Sequence, residues 1–263
     1  MTATALASKT PAPAAEALDA RIARATTALT ALGEADGHWC FELEADATIP
    51  AEYVLMRHYR DEPIDRVVEG KIGNYLRRIQ GGHGGWPLFH EGAFDMSASV
   101  KAYFALKMIG DDIDAPHMKR AREAILAHGG AARSNVFTRA LLALYGEVPW
   151  RAVPAMPVEI MLLPRWFPFH IDKISYWGRT VLVPLLVLQT LKPRAVNRLD
   201  VHIGELFATP PEEVRKWPAG AHQRPALVAL FGAIDRLLRA LDPYFPKGPR
   251  QRAIRAAEAF VTE

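Results

Sequence analysis

Tyr75-Leu76-Arg77-Arg78-Ile79-Gln80-Gly81-Gly82-His83-Gly84-Gly85-Trp86 is the stretch that decides the fold. An aromatic–Leu pair is followed at fixed spacing by Gln80, Gly84 and Trp86, and Lys71 stands four residues before Tyr75. The spacing predicts a helix ending near Gln80, closed by glycines in left-handed conformation. A Gln at that point can hydrogen-bond backbone groups at a neighbouring helix terminus. Its amide plane can also pack on Trp86, whose indole buries a large apolar area and keeps one N–H donor. The unit reads as a clamp at a helix–turn corner, with a structural role and no chemistry of its own.

A second, degenerate copy precedes it. Gly37-His38-Trp39 repeats the Gly-x-Trp ending, and Trp39 lies 47 residues before Trp86. In that register Arg24-Ala25 fills the basic–small pair and Leu29 the Leu position, whereas Ala28 replaces the aromatic and Gly33 the Gln. A period near 47 implies helical hairpins that each need a neighbour to bury an apolar face, stacked into a ring or solenoid.

Helical periodicity runs through Leu18–Leu32, Val100–Met108, Ala121–Ile125, Phe137–Tyr145, Leu227–Leu241 and Ile254–Val261. Turns are expected at Gly110-Asp111-Asp112, Gly129-Gly130, Pro210-Pro211 and Pro243 to Pro249. Sustained strand alternation is absent. The expected fold is all-α, an α/α barrel of helical hairpins over residues 18–263, behind a flexible Ala/Thr/Pro-rich tail at 1–17.

Composition narrows the function. A net charge of +3 over 263 residues argues against a dedicated nucleic-acid binder. The small excess lies at 192–263, with 12 basic and 8 acidic residues; Lys247, Arg250, Arg252 and Arg255 read as a solvated face, with contact to anionic lipid as the second reading. Cys40 is the only cysteine, so no intrachain disulfide can form. Val181–Leu191 is the longest apolar stretch and is too short to span a bilayer.

Familiar catalytic patterns are missing. The nine histidines form no metal-ligand spacing, and no phosphate loop, dinucleotide fingerprint or Gly-x-Ser-x-Gly occurs, so no metal or cofactor is implied. Asp111-Asp112-Ile113-Asp114 invites an acid–base reading, but its place between Gly110 and Pro116 predicts an exposed turn and helix N-cap. Glu42, Glu44 and Asp46 read as a solvated edge.

The pattern at 71–86 resembles the QW repeat of triterpene cyclases, with Ile72 standing where Gly or Ala is usual. Leu163–Arg179, a proline-spaced aromatic run leading to Ser175-Tyr176-Trp177-Gly178-Arg179, resembles the S-x-W-x-R block of bacterial squalene–hopene cyclases. Gly37–Asp46 followed by Ile49–Tyr53 looks like that family's opening. The resemblance covers Leu18 to Glu263 and corresponds to the family's N-terminal α-barrel domain.

The resemblance implies squalene as substrate, held in an apolar cavity between two helical barrels and cyclised through cations to hopene or hopanol. It implies an acidic D-x-D-D motif in the other barrel, and no D-x-D-D occurs in these 263 residues. No catalytic residue is therefore expected in this chain. Trp177 is expected to line the cavity, and Ile174 to sit near the constriction through which substrate enters. The implied partners are squalene, the C-terminal catalytic barrel and a membrane surface, with the parent enzyme attached peripherally to the cytoplasmic side. Arg252–Glu263 reads as a helix stopping partway through another repeat, as expected of a piece cut before the second barrel. Two other readings stay open from the residues: a stand-alone helical-repeat module for lipid or protein, and a cyclase acting on another terpene precursor.

Overall fold

The computed structural model describes residues 15–39, 46–214 and 225–262. The chain divides into two compact units, residues 1–44 and 45–263. In the first, α1 (Ala15–Ala31) begins three residues inside the stretch expected to be tail. Residues 1–14, Cys40, Glu42 and Glu44 lie outside the described residues.

The second unit contains α2 (Thr48–Tyr59), α3 (Arg66–Arg78), α4 (Met96–Ile109), α5 (Pro116–Ala127) and α6 (Val136–Tyr145). After several 3-10 turns come α7 (Tyr176–Leu191), α8 (Pro225–Leu241) and α9 (Lys247–Thr262). No strand occurs among the described residues, which form an all-α fold of the class expected.

Side-chain caps start several of these helices by accepting from otherwise unpaired N–H groups. Asp65 accepts from Val67 and Val68, Asp95 from Ala98, Asn135 from Thr138 and Ser175 from Gly178. The expected cap from the acidic cluster does not form, because Ala115 is the N-cap of α5 and offers no side-chain acceptor. Pro249, expected in a turn, lies instead in the first turn of α9, where a missing N–H costs nothing.

α4 is the hub. Apart from Ser97, Ser99, Lys101 and Lys107 its sequence is apolar, and a helix with so little polar surface is buried on nearly every side. Val100, Tyr103, Phe104 and Leu106 are fully buried, with α2, α3 and α5 packed around them. Lys101 is also buried and is held by Glu52 at 2.6 Å. The Tyr145 hydroxyl donates to the Leu55 carbonyl, tying α6 to α2. Arg139 is buried too, donating to the carbonyls of Ala152 and Ala132; burial pushes its pKa down to about 10. A second, smaller core joins Val158, Ile171, Val183, Leu186, Ile254 and Ala257.

Candidate functional site

The clamp can be built atom by atom. α3 stops at Arg78 with Ile79 as its C-cap, in ordinary negative-φ backbone. Among the four glycines, only Gly84 is left-handed, at φ +88°, so the expected glycine cap is replaced by a turn that closes later. Gly81 N–H donates to the Gly85 carbonyl at 2.8 Å, and Gly84 N–H to the Gly81 carbonyl at 2.9 Å. Trp86 is fully buried, and its indole N–H donates to the Leu76 carbonyl at 2.8 Å. That carbonyl lies in the last turn of α3, where intrahelical donors run out.

Gln80 carries the clamp to the next helix. Its amide N–H2 donates to the Gly84 carbonyl at 2.6 Å and to the His117 carbonyl, in the first turn of α5, at 2.9 Å. Its carbonyl oxygen accepts from Arg120 at 2.9 Å. Tyr75 lies under the Arg78 guanidinium, 5.3 Å from ring centre to charge.

The degenerate copy has the same geometry within its own unit. Glu34 N–H donates to the His38 carbonyl at 2.8 Å, and Gly37 N–H to the Glu34 carbonyl at 3.0 Å. Gly37 is left-handed at φ +89°, and the Trp39 indole donates to the Leu29 carbonyl at 2.7 Å. Trp39 is 48% exposed where Trp86 is fully buried.

Asp111 departs from the exposed turn expected of it. Its side chain is largely buried and accepts two bonds from Arg77, at 2.6 and 2.9 Å, and one from His117 at 2.6 Å. Burial works to raise its pKa, but the Arg77 and His117 hydrogen bonds outweigh it and hold the carboxyl below its usual value. A carboxylate so held is a poor proton donor. Asp112 accepts from the Asp114 N–H, a local turn contact. Asp46 is likewise occupied locally, accepting from the N–H and hydroxyl of Thr48. Among the described residues no group of three His, Cys, Asp or Glu side chains is arranged to hold a metal.

Trp177 sits in the first turn of α7, just after the Ser175 cap, and is 81% exposed. Ile174, half-buried against the second core, lies one turn before Gly178, where a Cβ would meet its Cγ2 at 2.8 Å. Arg179 and Arg165 flank Asp172 at 3.5 and 3.2 Å.

A pocket of about 560 Å³ opens nearby, walled by Phe167 and Phe169 of the aromatic run, Leu182 and Leu186 of α7, and Phe231 and Leu238 of α8. Neither Trp177 nor Ile174 is among its described lining residues. The aromatic run was visible in the sequence, but nothing there paired it with α8. The lining is nearly all hydrocarbon and ring, suited to an apolar ligand and to excluding water.

Comparison with known proteins agrees with this anatomy. The squalene–hopene cyclase N-terminal domain family matches residues 22–263. The chain is 62% identical over 248 residues to a squalene–hopene cyclase of Bradyrhizobium diazoefficiens, covering 94% of this chain and 38% of that protein. It is 56% identical over 251 residues to a squalene–hopene cyclase of Zymomonas mobilis, covering 95% and 38%. A dammaradiene synthase of Dryopteris crassirhizoma is 32% identical over 254 residues, covering 94% and 36%. The chain thus spans less than two fifths of the length of these curated relatives. With its helical clamps, its apolar pocket and this match over nearly its whole length, the chain belongs to the squalene–hopene cyclase N-terminal domain family.

Proposed function

We propose that these residues form one wall of the substrate cavity of a squalene–hopene cyclase, which folds squalene and closes it through cations to hopene, with hopanol where water captures the last cation. Family membership carries this reading. The proton donor lies outside these residues: they contain no D-x-D-D, and Asp111 is committed to Arg77 and His117. This chain alone is inactive, and the second barrel supplies the acid.

Trp177 is assigned to the cavity wall because an aromatic face attracts a developing cation without offering a lone pair that would trap it. Its high exposure leaves the ring face open to a substrate. Ile174 is assigned to the approach to the cavity. Enclosure by apolar side chains protects the cations from water. The parent attaches to the cytoplasmic side of a membrane as a peripheral protein; no helix among the described residues is long and apolar enough to cross one.

The test is to graft these residues in place of the matching part of the Bradyrhizobium cyclase, substitute Trp177→Ala, and read squalene products by gas chromatography–mass spectrometry. A lower rate or new, incompletely cyclised products are expected. An unchanged rate and product spectrum would remove Trp177 from the wall. The likeness to a dammaradiene synthase supports a second reading, a cyclase with a different product, and the same chromatogram separates the two.

A further inference from the structure

We propose that a polar cavity beside the apolar pocket is a headgroup site, and that together they bind one anionic phospholipid of the phosphatidylglycerol type. The inference rests on the reading of the parent as membrane-attached and adds what the membrane must contain. The polar cavity, about 270 Å³, shares Met156, Glu159 and Leu238 with the apolar pocket, so a chain in one places its head in the other.

Charge selects the head. Arg151, Lys192, Arg239 and Arg250 line the polar cavity, against the carboxylates of Glu159, Asp242 and the adjoining Asp235. Four cations minus three anions leave one positive charge, which a phosphodiester with its single negative charge matches. Arg250 is taken by Glu159 at 2.8 Å and Asp242 at 2.7 Å, and Arg239 by Asp235 at 2.8 Å. Lys192 stands 3.8 Å from the already bonded Asp242. Arg151 donates to the neutral Glu212 carbonyl. Arg151 and Lys192, both exposed, are thus the cations with charge to offer.

A phosphatidylglycerol head brings that single negative charge and no cation of its own, whereas a choline head adds a positive charge beside Arg151 and Lys192. The lipid is available in place, because α8, which walls the apolar pocket, also exposes Leu227, Leu230, Leu237 and Leu241. Tyr244, in the turn after α8, is 82% exposed, an aromatic with a polar tip suited to a headgroup boundary.

Flotation of the 263-residue chain tests this, using phosphatidylcholine vesicles alone, doped with phosphatidylglycerol, or doped with oleate to equal surface charge. Phosphatidylglycerol is expected to tighten binding on the order of tenfold over neutral vesicles. Oleate is expected to do markedly less. Arg151→Gln with Lys192→Gln removes that preference while neutral-vesicle binding and the melting curve persist, and each single change removes part of it. Lys119→Gln, on an exposed lysine of α5, keeps the preference and controls for net charge. Equal binding to neutral and phosphatidylglycerol vesicles, an equal gain with oleate, or an equal loss in Lys119→Gln would overturn the site. Failure to bind neutral vesicles would count separately, against membrane attachment itself.

Discussion

The Trp86 indole donates to the Leu76 carbonyl ten residues back, at 2.8 Å, and Trp39 makes the same bond to Leu29 at 2.7 Å. Two stretches 47 residues apart, sharing few identical residues, close the same turn by the same bond. What differs is burial, and burial decides what each bond is worth. Trp86→Phe leaves the Leu76 carbonyl buried and without that donor, a loss of about 1–3 kcal/mol before any packing loss. Trp39→Phe leaves its carbonyl within reach of water and should cost under about 1 kcal/mol. Urea denaturation of the two variants checks the ordering; equal losses would contradict it.

Gly84 and Gly37 offer a parallel comparison. Both are left-handed, so Ala at either carries a backbone cost of about 1–2 kcal/mol. At Gly84 the added Cβ would lie 2.8 Å from the Arg120 carbonyl oxygen, whereas at Gly37 nothing stands within 4 Å. Gly84→Ala should therefore destabilise clearly more than Gly37→Ala in thermal melts.

Low pH should attack the Asp111 clamp. Its folded pKa is depressed, so its contribution is complete above the unfolded carboxylate value, about pH 4, and is lost as pH falls through the folded value. The expected outcome is a fall in urea midpoint below about pH 4 that Asp111→Asn flattens. A variant with the same acid limb as the parent would show that the clamp contributes nothing there.

High pH should act at His202 with the opposite sign. Its Nδ1 meets Glu147 at 2.6 Å, and that hydrogen bond, outweighing partial burial, raises its pKa. The contribution is complete below the unfolded value, about pH 6.5, and is lost as pH rises through the folded value. His202→Gln should remove this slope in urea midpoints taken across neutral to mildly alkaline pH. Because the side chain is half exposed, the slope is expected to be shallow.

Much of the fold could be read from the sequence, because most of the helices carry their own apolar spacing and the two Gly-x-Trp endings share one register. What could not be read depended on partners far along the chain. Gly84 lies against the Arg120 carbonyl with no room for a Cβ, a contact the glycine pairs themselves do not encode. Asp111 looked exposed because its partner Arg77 lies 34 residues earlier. Arg250, read as part of a solvated face, is bonded to Glu159, 91 residues away. The apolar pocket needs Phe167 to meet Phe231, a pairing no local pattern encodes. α2 went unread because its buried residues, Ala51, Val54, Leu55 and His58, mix a small and a polar side chain into the stripe.

We assign to this chain a cavity wall and no proton donor. Squalene conversion should be measured side by side, for the purified 263 residues in detergent and for their graft onto the rest of the Bradyrhizobium cyclase. No cyclised product is expected from the chain alone, and hopene is expected from the graft. Turnover by the chain alone, or a folded graft that makes no cyclised product, would contradict the assignment.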